Sequence, residues 1–455
     1  MIKTRIAPAP TGKLHIGSAR TALFNYLFAK KNNGIFVLRI EDTDKKRSKL
    51  KFERDIIENL KWLGLKWDEF YKQSKRNEIY KKYLQKLLNS NNAFWCNCQK
   101  EKRKPFFCKK HKKIMSNKKL TTNNGIIRFN TPKNKEIIFK DIVRGEVKFS
   151  SNDVGDFSIA KDLNTPLYNF TVVVDDYDMK ISHIIRGEDG ISNTPKQILL
   201  YGALGFEAPQ FAHIPLILDI DRSKLSKRKN AAAIEDYKKQ GYLPQALINF
   251  LALLGWHPKD EKEIFSLKDL IKEFSLERVK KGGAIIDIDK LHSINNFYIR
   301  QLSIEKLLKL LQNYESRIKN QEYGKLRKIL KIERGRMNKL SDFWKLADHY
   351  FKDKLKYDKE LLIWKKMSKN DLKSSLEKSY SILEKINEKN WNLENIKNIL
   401  MNEADIMNNR GDLLWPLRVA LSGKKFSASP FEISWAIGKK ISLKRINEAQ
   451  NKILV

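Results

Sequence analysis

The chain has 455 residues, 90 Lys+Arg against 53 Asp+Glu, and a formal charge of +37, and at about 150 residues per domain this length predicts about three domains. A hydrophobic content of 41% and only 3 cysteines exclude wholesale disorder and a disulfide-stapled secreted scaffold. No stretch nears the ~18 apolar residues of a membrane span, and Met1–Pro8 has no signal-peptide run, so a soluble cytoplasmic protein is expected.

Residues 3–7 read as a short strand. Pro8-Ala9-Pro10-Thr11-Gly12 is a turn, because the prolines block a helix there. From Ser18 the spacing predicts a helix, with Ala19, Ala22, Leu23, Tyr26 and Leu27 on one face and Asn32-Asn33-Gly34 as its stop. Ile35–Ile40 reads as a strand buried on both faces. Strand, turn, helix and strand together open a parallel α/β sheet. Helical patterns follow at 53–63 and 76–88, and residues 126–150 alternate like β structure. Strand-like runs recur at Phe170–Val174 and Ser182–Arg186. Ser192-Asn193-Thr194-Pro195 starts a helix. Ile214–Leu218 is a further short strand, followed by a polar loop at Asp221–Lys229. Residues 243–254 form an apolar helix capped by Gly255. From about Ser303 the pattern is helical and Lys-rich, with no fixed-period repeat. The expected architecture is an α/β half with a β-containing insertion, then an all-α half.

The charge favours a polyanionic partner, because cations that neutralise phosphates release counterions. The alternative is compositional drift, since Lys, Asn and Ile are abundant together. The excess is uneven: Cys96 to Lys119 holds ten Lys/Arg and one acid, Glu101. All 3 cysteines fall here, as Cys96-x-Cys98 and Cys108-x-x-His111, in a chain with only 7 histidines. Three thiolates and one imidazole make a tetrahedral zinc set. The gap between the cysteine groups is short, and the alternative is a degenerate site of unligated thiols.

Two loops point to nucleotide chemistry. Pro10-Thr11-Gly12-Lys13-Leu14-His15-Ile16-Gly17 joins the first strand to the first helix. Gly12 and Gly17 permit close backbone approach, the helix N-terminus offers unpaired N–H groups, and His15 adds a donor. This suits a nucleoside triphosphate, although it is not a Walker loop. In the second, Lys224-Leu225-Ser226-Lys227-Arg228, three cations flank a hydroxyl; alone, this reads as a solvated basic loop.

Together the two loops resemble the paired signatures of class I aminoacyl-tRNA synthetases. Further stretches are similar to the glutamyl-tRNA synthetase family of bacterial type. They include Arg5-Ile6-Ala7-Pro8, Ala19-Arg20-Thr21-Ala22, Leu38-Arg39-Ile40-Glu41-Asp42, Ile185-Arg186-Gly187-Glu188-Asp189, Asn249-Phe250-Leu251-Ala252 and Leu414-Trp415-Pro416-Leu417-Arg418. The resemblance implies a Rossmann-type catalytic domain with an α+β insertion and an all-α anticodon-binding half. It implies activation of glutamate by ATP with Mg2+, then transfer to the terminal adenosine of the glutamate tRNA, with the glutamine tRNA as an open second acceptor. It implies a catalytic set of His15, Gly17, Lys224, Ser226 and Lys227. ATP contacts would come from Thr11, Gly12, His15, Gly17 and Lys227. Glutamate contacts would come from Arg5, Ala7, Glu41, Tyr168 and Arg186. The arginines suit carboxylates and Glu41 suits the ammonium. In a bland alternative, Arg5 pairs with Glu41, and Arg186 with Glu188. Ser18 stands where the general signature has a second histidine, and Ala9 where many relatives carry Ser.

The family also supports structural zinc at Cys96, Cys98, Cys108 and His111, and a monomer. Expected domains are catalytic halves at 1–89 and 173–230, the insertion at 90–172, a stem-contact segment at 231–300, and helical subdomains at 301–365 and 366–455. Rival readings are a glutaminyl-tRNA synthetase, a truncated paralogue that modifies a tRNA base, and a non-catalytic tRNA-binding relative. The first would carry β-barrels after residue 300, and the second would lack that half.

Overall fold

Lys3–Ile6 (β1) and Ile35–Ile40 (β2) run parallel with Arg5 opposite Val37, and Ile16–Lys31 forms the helix between them. The helix starts where His15 caps it, accepting the Ser18 N–H, and carries Lys30 and Lys31 in its last turn, opposite the negative dipole end. It stops at Asn32. Gly34 is required there, because a Cβ would stand 2.2 Å from the Ile2 carbonyl oxygen. The computed structural model describes residues 1–98, 105–112, 125–223, 233–407 and 409–454; the side chains of His111, Lys112, Asn320 and Leu454 are outside that description.

Eight further strands of three or more residues follow among the described residues: Glu69–Lys72 (β3), Ala93–Cys96 (β4), Ile126–Phe129 (β5), Glu136–Asp141 (β6), Gly145–Ser150 (β7), Ser158–Ala160 (β8), His183–Gly187 (β9) and Gln210–Ile214 (β10). They form a parallel sheet in the order β1-β2-β3, a second sheet in the order β7-β6-β10-β9, and a third in the order β4-β5-β8. Ser182 N–H donates to the Lys3 carbonyl at 2.9 Å, bringing the start of β9 alongside β1. The hairpin β6–β7, read from sequence as part of the insertion, joins the second sheet through parallel pairing of Asp141 with Phe211. Val37, Phe129, Phe139, Phe170, Val173 and Leu200 share one buried core.

Two expectations change. Phe170–Val174 is not a strand but lies within the helix Tyr168–Asp178, where residues 170–176 are all buried. A helix covered on every side shows no polar stripe, so its apolar run mimics a strand. The strand expected at Ile214–Leu218 is broken. β10 ends at Ile214, and Ile217–Leu218 pairs separately with Ala284–Ile285, because Pro215 has no N–H to continue the ladder.

The chain divides into one unit of Met1–Lys239 with Pro244–Leu291, and a second of Gln240–Leu243 with His292–Val455. The second unit is all-α among its described residues. Ser303 caps Ile304–Tyr314, and the capping boxes Ser368/Asp371 and Ser429/Glu432 start Lys369–Lys385 and Pro430–Ile437. Leu307, Leu311, Leu376, Leu400 and Leu417 are among its fully buried apolar side chains. No described helix is long and apolar enough to cross a membrane.

Candidate active site

Arg5, Ala7, Glu41, Tyr168 and Arg186 come from β1, the turn after it, the end of β2, the helix Tyr168–Asp178 and β9. They line one cavity of about 300 Å3, together with His15 and Gly17. Thr11 and Gly12 fall in the turn ahead of His15, outside the described lining. Lys224, Ser226 and Lys227 lie outside the described residues. Ala233, the first described residue after that loop, bridges to His15, and Ile234 N–H donates to the Leu14 carbonyl at 2.9 Å.

Neither bland pairing occurs. Arg5 donates to Asp176, from Nε at 3.1 Å and Nη2 at 3.3 Å. Glu41 accepts from Arg39 at 3.2 Å, and Arg39 also donates to Asp176 at 2.7 Å. Asp175 accepts from Gln73, Arg76 and Tyr80. Three guanidinia (Arg5, Arg39, Arg76) thus meet three carboxylates (Glu41, Asp175, Asp176) in one buried network. Burial pushes the Glu41 carboxyl up to about 7, against the pull of Arg39 and Arg5. Burial also opposes ionisation of Asp176, but Arg39 and Arg5 prevail and hold it below the usual carboxylate range. Such charges are stable inside a protein only as a fully bonded set.

Arg186 differs. Its guanidinium is buried, and burial lowers its pKa. No carboxylate among the described residues pairs with it. It donates to His213 Nε2 at 3.0 Å and Thr194 Oγ1 at 2.8 Å. Glu188 is engaged elsewhere, by Arg144 and by the Leu216 N–H.

A second cavity of about 600 Å3 also takes Tyr168 into its wall, with Asp42, Thr43, Lys45, Arg47 and Lys161. Sequence reasoning did not assign these residues, nor the supporting Arg39, Asp175, Asp176, Asp141 and His213. One signal was legible: an arginine inside an apolar strand and two adjacent aspartates after an apolar run each require buried partners of opposite charge.

The cysteines converge. Cys96 and Cys108 sulfurs are 3.7 Å apart, Cys108 and Cys98 sulfurs 4.0 Å, and all three lie within 4.8 Å of one another. Thiolates at ~2.3 Å from a tetrahedral zinc stand about 3.8 Å apart, so the donor set fits that ion. Asp156 holds the loop by accepting the Cys108 N–H at 2.8 Å. Gly155, at φ 62°, is needed beside it, because a Cβ would meet Phe106 N at 2.6 Å. The His111 side chain is outside the described residues.

Residues 1–293 match the family described as tRNA synthetases class I (E and Q), catalytic domain, and residues 305–450 match the anticodon binding domain. Glutamate–tRNA ligase 1 of Caldicellulosiruptor saccharolyticus is 42% identical, over 98% of each chain. Glutamate–tRNA ligase of Aquifex aeolicus is 42% identical, over 93% of each. A crystal structure of a glutamate tRNA ligase from Elizabethkingia meningosepticum, in complex with its amino acid, superposes with a TM-score of 0.86 at 30% identity, over 99% of each chain.

Proposed function

The chain belongs to the glutamate–tRNA ligase family of class I tRNA synthetases, and we propose that the cavity of Arg5, Glu41 and Arg186 is where it reads glutamate. The family activates glutamate with ATP, releases pyrophosphate and esterifies the terminal adenosine of tRNA. Class I enzymes use ATP, typically with Mg2+.

The observation that carries the proposal is charge complementarity. The charged residues of the cavity wall are Arg5, Arg20, Arg186, Glu41 and Asp189. Arg20 is engaged by the Leu254 and Pro215 carbonyls, and the residues assigned to glutamate offer two guanidinia, Arg5 and Arg186, and one carboxylate, Glu41. Glutamate presents two carboxylates and one ammonium. Arg186, which no carboxylate pairs among the described residues, is the stronger anion receptor, and glutamate completes its pairing. Glutamine would leave one guanidinium unmatched in a buried site, and such mismatches discriminate more strongly than size does. Ala7 supplies backbone beside the substrate, and Tyr168 closes one wall.

His15 and Gly17, with Thr11 and Gly12 ahead of them, bind ATP phosphates at the start of Ile16–Lys31, where N–H groups and the helix dipole favour anions. Lys227, with Lys224 and Ser226, stabilises charge on the α-phosphate as pyrophosphate leaves. This is positioning and electrostatics, with no covalent enzyme intermediate. The cations of the Cys96–Lys119 stretch supply electrostatic attraction for the acceptor end. Zinc would be held by Cys96, Cys98, Cys108 and His111, and would fix the insertion's loops. The sequence-based domain scheme, a cytoplasmic monomer, and the glutamate tRNA as main acceptor complete the reading. Charging of purified glutamate and glutamine tRNAs decides the second acceptor.

The direct test is Arg186→Ala. It should abolish glutamate-dependent adenylate formation and leave the fold intact by circular dichroism. Near-normal aminoacylation by this variant would overturn the clamp.

A further inference from the structure

We propose that Asp141 and His213 act as a positioning pair for Arg186, so that the hairpin β6–β7 supplies part of the amino-acid site. The inference deepens the reading above and rests on Arg186 contacting the substrate.

Three neighbouring strands carry the three side chains, in the order β6, β10, β9. Asp141 ends β6, while His213 and Arg186 are direct register partners on β10 and β9. Asp141 Oδ2 lies 2.7 Å from His213 Nδ1, and His213 Nε2 lies 3.0 Å from Arg186 Nε. The side chains of Asp141 and His213 are both 0% exposed.

Proton accounting fixes the tautomer. The Asp141 carboxylate accepts the backbone N–H groups of Val143 at 3.0 Å, Arg144 at 2.8 Å and His213 at 3.0 Å. Burial opposes its ionisation, but the His213 bond and these N–H groups hold it below the usual carboxylate range. An ionised carboxylate has no proton to give, so Nδ1 of His213 carries the hydrogen. The Nε2 lone pair then faces Arg186 Nε at 3.0 Å and the Thr194 hydroxyl at 3.2 Å; it accepts from the guanidinium while the Thr194 O–H turns to the Gly190 carbonyl at 3.4 Å. Thr194 Oγ1 accepts from Nη2 of the same guanidinium at 2.8 Å. Nε and Nη2 are thereby held by two neutral acceptors, which fix the plane of the fork without cancelling its charge. The hairpin contributes a second device. Its Arg144 engages Glu188, and so keeps that carboxylate off Arg186.

A merely structural histidine and a positioning histidine differ in which ring nitrogen matters. Asn at 213 keeps a donor near Nδ1 for Asp141 and loses the acceptor for Arg186. Gln at 213 places its amide oxygen near Nε2 and restores that acceptor. Asn at 141 keeps its oxygen on the backbone N–H groups and turns its amide toward Nδ1. That change forces the other tautomer, whose Nε2–H opposes the Arg186 N–H, as a wrong tautomer disables a catalytic histidine elsewhere.

The test is steady-state aminoacylation by the full chain with the glutamate tRNA, varying glutamate and ATP separately. Losing one bond to a charged group should raise the glutamate KM roughly ten- to a hundredfold in His213→Asn and Asp141→Asn, with the ATP KM unchanged within about twofold. His213→Gln should recover most of that loss. Equal defects in His213→Asn and His213→Gln, or a milder one in His213→Asn, would overturn the pair. Arg186→Ala run in parallel separates the failures: an unchanged glutamate KM there sinks the pocket reading itself. Should the variants melt early, the tautomer decides. Nitrogen-15 spectra of the wild-type enzyme, with His213 assigned by its loss in His213→Gln, should show Nδ1 protonated and Nε2 bare. An Nε2–H form would overturn the proposal.

Discussion

Glu41 is almost wholly buried, and that burial sets up an opposition between stability and substrate binding. Its carboxyl is raised from 4.5 to about 7, a displacement worth about 3 kcal/mol. The folded state holds this proton more tightly than the unfolded chain does. Between about pH 4.5 and 7 the native protein therefore carries more of it, and stability from this site falls as pH rises through that window. Above about 7 the whole loss is present. Glu41→Gln stays neutral at every pH and avoids that loss. It should melt roughly 5 °C above wild type near pH 8.5 and match it near pH 4.5. The substrate ammonium needs the anion, so the same variant should lose on the order of a hundredfold or more in kcat/KM for glutamate. In the wild type, log kcat/KM for glutamate should climb with pH and level off near 7. The assays are thermal melts of both proteins at the two pH values, and aminoacylation at subsaturating glutamate. A Glu41→Gln protein less stable than wild type near pH 8.5 would refute the burial argument. A wild-type profile flat between about pH 6 and 8 would refute ionised Glu41 as the ammonium site.

Lys227→Ala should lower kcat on the order of a hundredfold with little change in the ATP KM, because its role is at the transition state; an effect confined to KM, measured by pyrophosphate exchange, would reduce it to a binding residue. Asp176→Asn leaves two buried guanidinia short of a carboxylate, so denaturant unfolding should show a loss of about 3 kcal/mol, together with a raised glutamate KM. Purified, chelator-free protein should hold close to one zinc per chain by elemental analysis, and Cys108→Ser should lose it; zinc well below that level in folded protein would reject the site.

The Rossmann opening was legible because its signals are local. Pro8 and Pro10 force the turn, His15 caps the helix, and Gly34 closes against Ile2. Arg5, Glu41 and Arg186 were reached through motif resemblance, and the structure brings them to one cavity. The helix Tyr168–Asp178 was misread because the run Phe170–Val174 is apolar without a period. Asp175-Asp176, next in the chain, carried the correcting signal, since two adjacent buried carboxylates need guanidinia such as those of Arg39 and Arg76. The contact between Asp141 and His213 could not be read at all. It spans 72 residues and depends on the hairpin β6–β7 joining the sheet of β9 and β10. The large positive charge, the first feature met, located none of this; the few cations at Arg5, Arg39 and Arg186 are defined by their neighbours.

The most direct measurement is a crystal structure of this enzyme with a non-hydrolysable glutamyl-adenylate analogue. The proposed pocket places the glutamyl carboxylate on a guanidinium of Arg5 or Arg186, the analogue's ammonium on Glu41, and the phosphate region against His15 and Gly17. An analogue bound with its amino-acid end away from Arg186 and Glu41 would contradict it.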